Sequence, residues 1–384
     1  MEKTTSSSQE RGPLGEIARE FLRLGFVAFG GAAAHVAMME ERFVRRKGWL
    51  TRERFLDLFG AASLLPGPSS TELAIYLGEV RGGFEGMLVA GACFILPAAF
   101  MVVVLAWAYL KFGGVPQVAG LLYGIKPVVV ALMAQAIWNL ARTALRSVPL
   151  ALLATAVVLL AAFGQPLLLL LLGGGILWVL LTQGKKLVRG EFAFTGAAGL
   201  SLSAAPAVVG LAPVFFYFLK IGAVLVGSGY VLLAILRADL VVRLHWLTDS
   251  QLLDAIAVSQ GTPGPFFTVA TFIGFLLGGW RGAGLATIGM FLPAFVYVAL
   301  TARVLPKLRK SPFAGAFLDG VNAAAVALMG FVGWQFARAS LVNWPAVVIA
   351  MVSLVLVIWF KVNSAWLVIG GAVAGILLRS IGWA

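Results

Sequence analysis

Two stretches of this 384-residue chain place the same helix-breaking triplet beside small hydroxylated side chains. Residues 64–71 read LLPGPSST and residues 261–268 read GTPGPFFT. Proline lacks an amide hydrogen and glycine permits a sharp turn, so each Pro-Gly-Pro closes one helix and opens another. Gly67 suits the sharp entry and Pro68 the first position of the new helix. The start of that helix presents free N–H groups and the positive end of the helix dipole, which together stabilise an anion. Ser69, Ser70 and Thr71 add hydroxyl donors in the first copy. Around Gly264, the residues Ser259, Gln260, Thr262 and Thr268 do so in the second. Donors without fixed negative charge suit a tetrahedral oxyanion. A single such triplet reads as a kink in a packed helix, with its hydroxyls bonded to backbone carbonyls. Two triplets with polar neighbours at matched positions favour a binding site.

Few ionisable groups lie near these stretches. Lys126, in YGIKPVVV, precedes Pro127 and an apolar run, so it is expected to open a span; its repeat counterpart is Asn322. A lysine there either neutralises an anion from one side or snorkels to the membrane interface. Glu72 falls in the first turn after Pro68 and is matched by Val269. It either complements the helix dipole or is a protonatable coupling group; its charge argues against direct contact with a dianion. His35, matched by Leu232, titrates near neutral pH or satisfies a backbone carbonyl. Arg142 and Arg338 match at helix ends and read as interfacial anchors. The single cysteine, Cys93, cannot form an internal disulfide and reads as a small packing residue. With two histidines and no Cys/His cluster, neither a metal site nor a cofactor is expected.

These residues must be positioned by membrane helices. The chain is 61% hydrophobic and 12% charged, about half the charge usual in soluble domains. Apolar runs such as residues 86–110 and 344–360 approach or exceed the roughly 20 residues that cross a bilayer. The polar start, MEKTTSSSQERGPL, carries both signs of charge and does not resemble a cleaved signal peptide. The net charge of +13 comes mostly from short connections between apolar runs, as the positive-inside rule requires, and nucleic acid is excluded as a partner.

The chain is also written twice. At an offset of 197, Trp49-Leu50-Thr51 matches Trp246-Leu247-Thr248, Gly25 matches Gly222, Gly30 matches Gly227, Asp57 matches Asp254, and the two Pro-Gly-Pro triplets coincide. At an offset of 196, Gly82-Gly83 matches Gly278-Gly279, Pro97 matches Pro293, and Trp138 matches Trp334. The glycines at 30–31 and 227–229 read as close-packing positions. The expected organisation is a polar tail over 1–20, a first repeat with two following helices over 21–190, and a second over 191–384. Equivalent loops carry opposite charge bias: Lys111 stands alone where Arg303, Lys307, Arg309 and Lys310 stand in the second half. The fold class is therefore all-α, a polytopic helical membrane protein of two homologous halves with inverted topology and broken or re-entrant helices. Inversion needs an odd crossing between the halves, from residues 192–211 or 215–236.

The stretches FGGAAAHVAMMEERFVRRKGWL (29–50), LLPGPSSTELAIYLG (64–78), GIKPVVVALMAQAIW (124–138), GSGYVLL (227–233) and VSQGTPGPFFTVATFIGF (258–275) resemble the chromate ion transporter family in its long, two-domain form. One departure is Ala32, where many relatives have proline after FGG. The resemblance implies a secondary transporter of the inner (plasma) membrane that exports chromate, a dianionic sulfate analogue, driven by membrane potential or a proton gradient. No catalytic constellation is expected, since the ionisable residues one needs are too few and scattered. Sulfate or another oxyanion carried inward, or an anion-selective channel, stand as alternatives. The partners expected are the oxyanion, the lipid bilayer and a second copy of the chain in a homodimer.

Overall fold

The computed structural model describes residues 12–29, 31–112, 116–187, 210–225, 231–302 and 312–381. Every element among them is helical. Helix α1 (Leu14–Val27) begins inside the stretch read as a polar tail, because Ile17, Phe21 and Leu24 form one buried face. The helix ends before Ala28, and α2 (Gly31–Met39) continues as a π-helical segment, Glu40–Arg46. This second arm runs back along the first. Lys47 Nζ is 2.8 Å from Glu16, Arg42 Nε is 2.6 Å from Glu20, and Phe21 stacks on Phe43 with centroids 4.9 Å apart. The pair is a hairpin whose base holds the charges and whose first arm ends at Ala28.

A second hairpin follows. Helix α3 (Arg52–Ala62) leads to the Pro-Gly-Pro tip, and the first arm of α4 (Ser69–Phe112) returns from it. The arms rejoin at their base, where Leu50, Thr51 and Arg54 share a shallow cavity with Glu79 and Val80. Arg81 sits there too, 3.3 Å from Glu16 and over the Trp49 ring. At Gly83, with φ 63°, α4 doubles back into a long arm, residues 84–112. The two arms touch backbone to backbone at Gly78 and Gly86.

The second half repeats this plan with α8 (Leu211–Val224), α9 (Val231–Leu236) and its π-helical extension Arg237–Arg243, α10 (Asp249–Gly261), and α11 (Val269–Thr301). Gly279, with φ 58°, makes the equivalent turn, and Gly274 meets Gly282 as Gly78 meets Gly86. The repeated Trp-Leu-Thr now has a reason. Thr51 and Thr248 cap α3 and α10, accepting from the amides of Arg54 and Gln251, while Trp49 stacks on Phe43 and Trp246 meets Tyr217 edge-on.

The long arms reveal how the halves are oriented. Residues 84–112 span about 43 Å at 1.5 Å per residue. They start at the base of the first half and end beside that of the second, where the Tyr109 hydroxyl donates to Asp254 at 3.0 Å. Reciprocally, α11 ends at Thr301, whose hydroxyl accepts from Tyr76 at 2.5 Å and itself donates to the Tyr297 carbonyl. Each long arm runs from its own base to the other, so the hairpins enter from opposite ends and the repeats are inverted.

Helices α5 (Pro116–Ala144), α6 (Val148–Ala162) and α7 (Leu167–Leu187), with their counterparts α12 (Pro312–Ser340), α13 (Trp344–Ile358) and α14 (Ser364–Ser380), enclose this centre. Here too the halves exchange partners. Gly120 and Gly124 of α5 meet Gly371 and Gly375 of α14, and Gly174 and Gly175 of α7 meet Gly320 and neighbouring α12 side chains. Among the described residues, four stretches, Ser69–Phe112, Gly120–Ala144, Phe266–Thr301 and Gly315–Ser340, are long and apolar enough to cross a membrane, while the apolar run at 344–360 forms only the shorter α13, Trp344–Ile358. The described parts of residues 215–236 fall in two separate helices, α8 and α9. Residues 192–209 lie outside the described residues, as do Gly30, Gly227 to Gly229 and the basic cluster at 303–310.

The glycine contact at the α4 turn can be tested directly. A Cβ at Gly78 meets the Gly86 carbonyl, whereas one at Gly284 meets nothing within 4 Å. Gly78→Ala is expected to destabilise the detergent-solubilised protein by about 1–3 kcal/mol or more, and Gly284→Ala to leave its melting temperature unchanged.

Candidate anion site

The two Pro-Gly-Pro tips meet the tips of the broken hairpins of the opposite half. The Gly67 amide donates to the Leu225 carbonyl at 2.7 Å, and the Gly264 amide donates to the Ala28 carbonyl at 2.8 Å. Ala28 and Leu225 terminate α1 and α8, and they are themselves equivalent at the repeat offset. Both glycines have positive φ, 130° and 97°, which side-chain-bearing residues rarely adopt. A Cβ at Gly67 would also stand 2.7 Å from the Glu72 carboxyl, and one at Gly264 would strike Ala98.

Around this joint the halves differ in chemistry. In the first, the Ala28 carbonyl also lies 3.0 Å from His35 Nε2. Donation there leaves Nδ1 as an acceptor, 3.3 Å from the Ser70 hydroxyl. His35 is thus buried and tied to a carbonyl, one of the two roles expected for it. Helix α4 starts at Ser69, so Pro68 stands one position before the expected one: its carbonyl accepts from the Thr71 and Glu72 amides at 2.7 and 3.0 Å. The amides of Ser69 and Ser70 meet no backbone acceptor among the described residues. Ser69 is half-buried and Thr71 and Glu72 are fully buried; the Thr71 hydroxyl and both Glu72 oxygens lack a hydrogen-bond partner.

The second half is more self-satisfied. The Thr262 hydroxyl donates to the Val258 carbonyl at 2.6 Å and Thr268 to Pro265 at 2.9 Å, the arrangement expected of a kink. Phe266 and Phe267 replace Ser69 and Ser70, and Val269 replaces Glu72. Ser259 is buried with its hydroxyl unpartnered, and Gln260 is half-buried in the last turn of α10. The structure therefore gathers Gly67, Pro68, Ser70, Thr71, Glu72, His35 and Gly264 about one joint.

Lys126 belongs to another cluster. It lies well inside α5 instead of opening a span, with Pro127 accommodated in the helix. Its ammonium is 3.2 Å from Asp254 and donates to the Ser250 hydroxyl at 2.7 Å. Asp254 is 2% exposed and also accepts from Tyr109. Asn322 is half-buried on α12 with no hydrogen bond to either tip among the described residues. Sequence reasoning missed Asp254, although a matched pair of aspartates, Asp57 and Asp254, in largely apolar helices was the signal available. No group of three His, Cys, Asp or Glu suited to a metal occurs among the described residues.

Among the described residues the joint thus brings together two amides without a backbone acceptor, the start of a helix dipole, the unpartnered Thr71 hydroxyl and a carboxyl without a hydrogen-bond partner. The chromate transporter family model matches residues 15–179 and again residues 212–376, two blocks separated by the offset that aligns the repeats. The chromate transport protein of Cupriavidus metallidurans is 32% identical over 371 residues, covering 94% of this chain and 91% of that protein. The chromate transport protein of Pseudomonas aeruginosa is 32% identical and covers 88% and 84%. A probable chromate transport protein of Synechococcus elongatus is 30% identical and covers 96% of both. No solved structure matches. With two inverted copies of the matched unit interlocked about a broken-helix joint, the chain belongs to the chromate transporter family.

Proposed function

We propose that the chain is a secondary transporter of the inner membrane that exports chromate from the cytoplasm, with the oxyanion bound at the start of the 69–82 half-helix. The observation that carries this reading is the cluster of unpaired donors there, the amides of Ser69 and Ser70 and the Thr71 hydroxyl, at a break between inverted repeats. Family membership and the names of the full-length relatives support chromate as cargo. The inside-negative potential favours anion export by about 2.3 kcal/mol per charge per 100 mV. Lys126 contributes a cation toward one end of the path, held by Asp254. Inward carriage of sulfate and passive channel flux are the alternatives to this reading.

Everted vesicles energised to a positive lumen are expected to accumulate chromate saturably. Flux that only equilibrates chromate, or sulfate transport without chromate transport, contradicts the proposal. Loss of a hydrogen bond to a charged ligand costs about 1.5–3 kcal/mol. Thr71→Val is therefore expected to weaken chromate transport about tenfold or more at unchanged membrane abundance. Removing one partner of a buried ion pair costs about 3–5 kcal/mol. Lys126→Ala is thus expected to lower thermal stability, and a second substitution, Asp254→Asn, to recover it without recovering transport. Transport that returns along with stability makes Lys126 a structural strut only.

A further inference from the structure

Among the described residues Glu72 is the one carboxyl of the tip, and no cation or hydrogen-bond donor is paired with it. It is 0% exposed, neither oxygen has a hydrogen-bond partner, and no cation forms an ion pair with it among the described residues. The carboxyl folds back over the tip: Oε1 stands 2.7 Å from where a Cβ at Gly67 would be, and the Gly222 carbonyl closes the same space. Carbonyl oxygens repel a carboxylate, and they accept from a carboxylic acid. Its own helix presents Tyr76, and the long arm of α11 presents Tyr297, whose hydroxyl is spent on the Ala223 carbonyl at 2.7 Å. From α2 comes His35, spent on Ala28 and Ser70. On α3 the nearest charge is Asp57, toward the hairpin base. On α1, Glu16 and Glu20 are paired with Lys47 and Arg42, and on α10 Asp254 is paired with Lys126.

An anion seated at the Ser69 and Ser70 amides lies within one helical turn of this carboxyl. At such a separation, in a buried setting, two negative charges disfavour each other strongly, so the anion and a proton on Glu72 bind with positive cooperativity. Reciprocity fixes the sense of the coupling. A site that holds the anion best when Glu72 is protonated moves both in the same direction, whichever way the cycle runs. The equivalent position in the other half is Val269, so one proton is carried per anion and not two.

We infer that Glu72 makes this transporter an anion–proton symporter, carrying a dianionic oxyanion with one proton and hence a single net negative charge per cycle. The inference rests on the anion site proposed above. It has a consequence for energetics: membrane potential drives export through one charge, while an acidic exterior opposes it.

Full-length protein in proteoliposomes, with potential clamped and pH equal on both sides at a value where chromate is a dianion, tests this. A tenfold chromate gradient is balanced at about 59 mV for one net charge and about 30 mV for two. Wild type is expected at the larger value and the nearly isosteric Glu72→Gln at the smaller. Chromate binding by wild type is expected to weaken about tenfold per pH unit above the site's titration, and in Glu72→Gln to stay flat. Wild type balancing near the smaller value, or keeping its binding constant with pH, overturns the symport inference. So does a Glu72→Gln variant that still balances near the larger value, as carriage of a hydrogen-chromate monoanion would. Absence of chromate binding in both proteins at every pH overturns the anion site itself.

Discussion

A helix that stops inside an apolar medium leaves carbonyls and amides without partners, and each costs free energy comparable to a lost hydrogen bond. Among its described residues the chain stops four helices in its interior, two per half. The cost is met by exchange: the glycine amide of each Pro-Gly-Pro tip reaches the last carbonyl of the broken helix in the other half. Everything else in the centre depends on those two bonds. They require both tips at the same depth, approached from opposite sides, which is what inverted topology supplies. They require glycine with positive φ at both tips, which is why the triplet occurs twice.

The exchange extends outward. Helix α5 of the first half packs on α14 of the second and α7 packs on α12, through small residues that let backbones approach. The long arm of each half ends against the hairpin base of its counterpart. Neither half is therefore a self-contained body. The polar joint is shared property, built from Ala28, Gly67, Leu225 and Gly264 together. In secondary transporters the substrate site lies at such a boundary between repeats, where irregular backbone is tolerated because it lines a path.

Much of this was legible in the sequence, because the repeated residues perform fixed local tasks. Thr51 and Thr248 cap helices, Trp49 and Trp246 lock hairpin bases onto aromatic neighbours, and Gly83 and Gly279 turn the arms. Such tasks tolerate few residue types, so the letters survive duplication. The half-helix start at Ser69 was legible from the repeated Pro-Gly-Pro, although Phe266 and Phe267 stand in the second copy where Ser69 and Ser70 stand in the first. Lys126 was misread as a residue opening a span because its partner, Asp254, lies 128 positions away and reaches it only through the exchange between halves. The start of α1 was misread because Glu16 and Glu20 look like tail charges until Lys47, Arg81 and Arg42 are folded back onto them. The engagement of Thr262 and Thr268 with carbonyls also needed the structure, since a threonine beside a proline reads the same whether its hydroxyl is free or spent.

The joint between the tips is made of main-chain atoms, and that has an evolutionary consequence. A main-chain contact is inherited by both copies of a duplicated unit without prescribing their side chains: Ala28 and Leu225 share a role and little else. Once duplication had occurred, each copy was free to change its side chains while the architecture stood. One copy now carries imidazole, hydroxyls and a carboxyl at the joint; its counterpart carries leucine, phenylalanines and valine. Symmetry of the scaffold and asymmetry of the chemistry are thus not in tension, because they are written in different atoms.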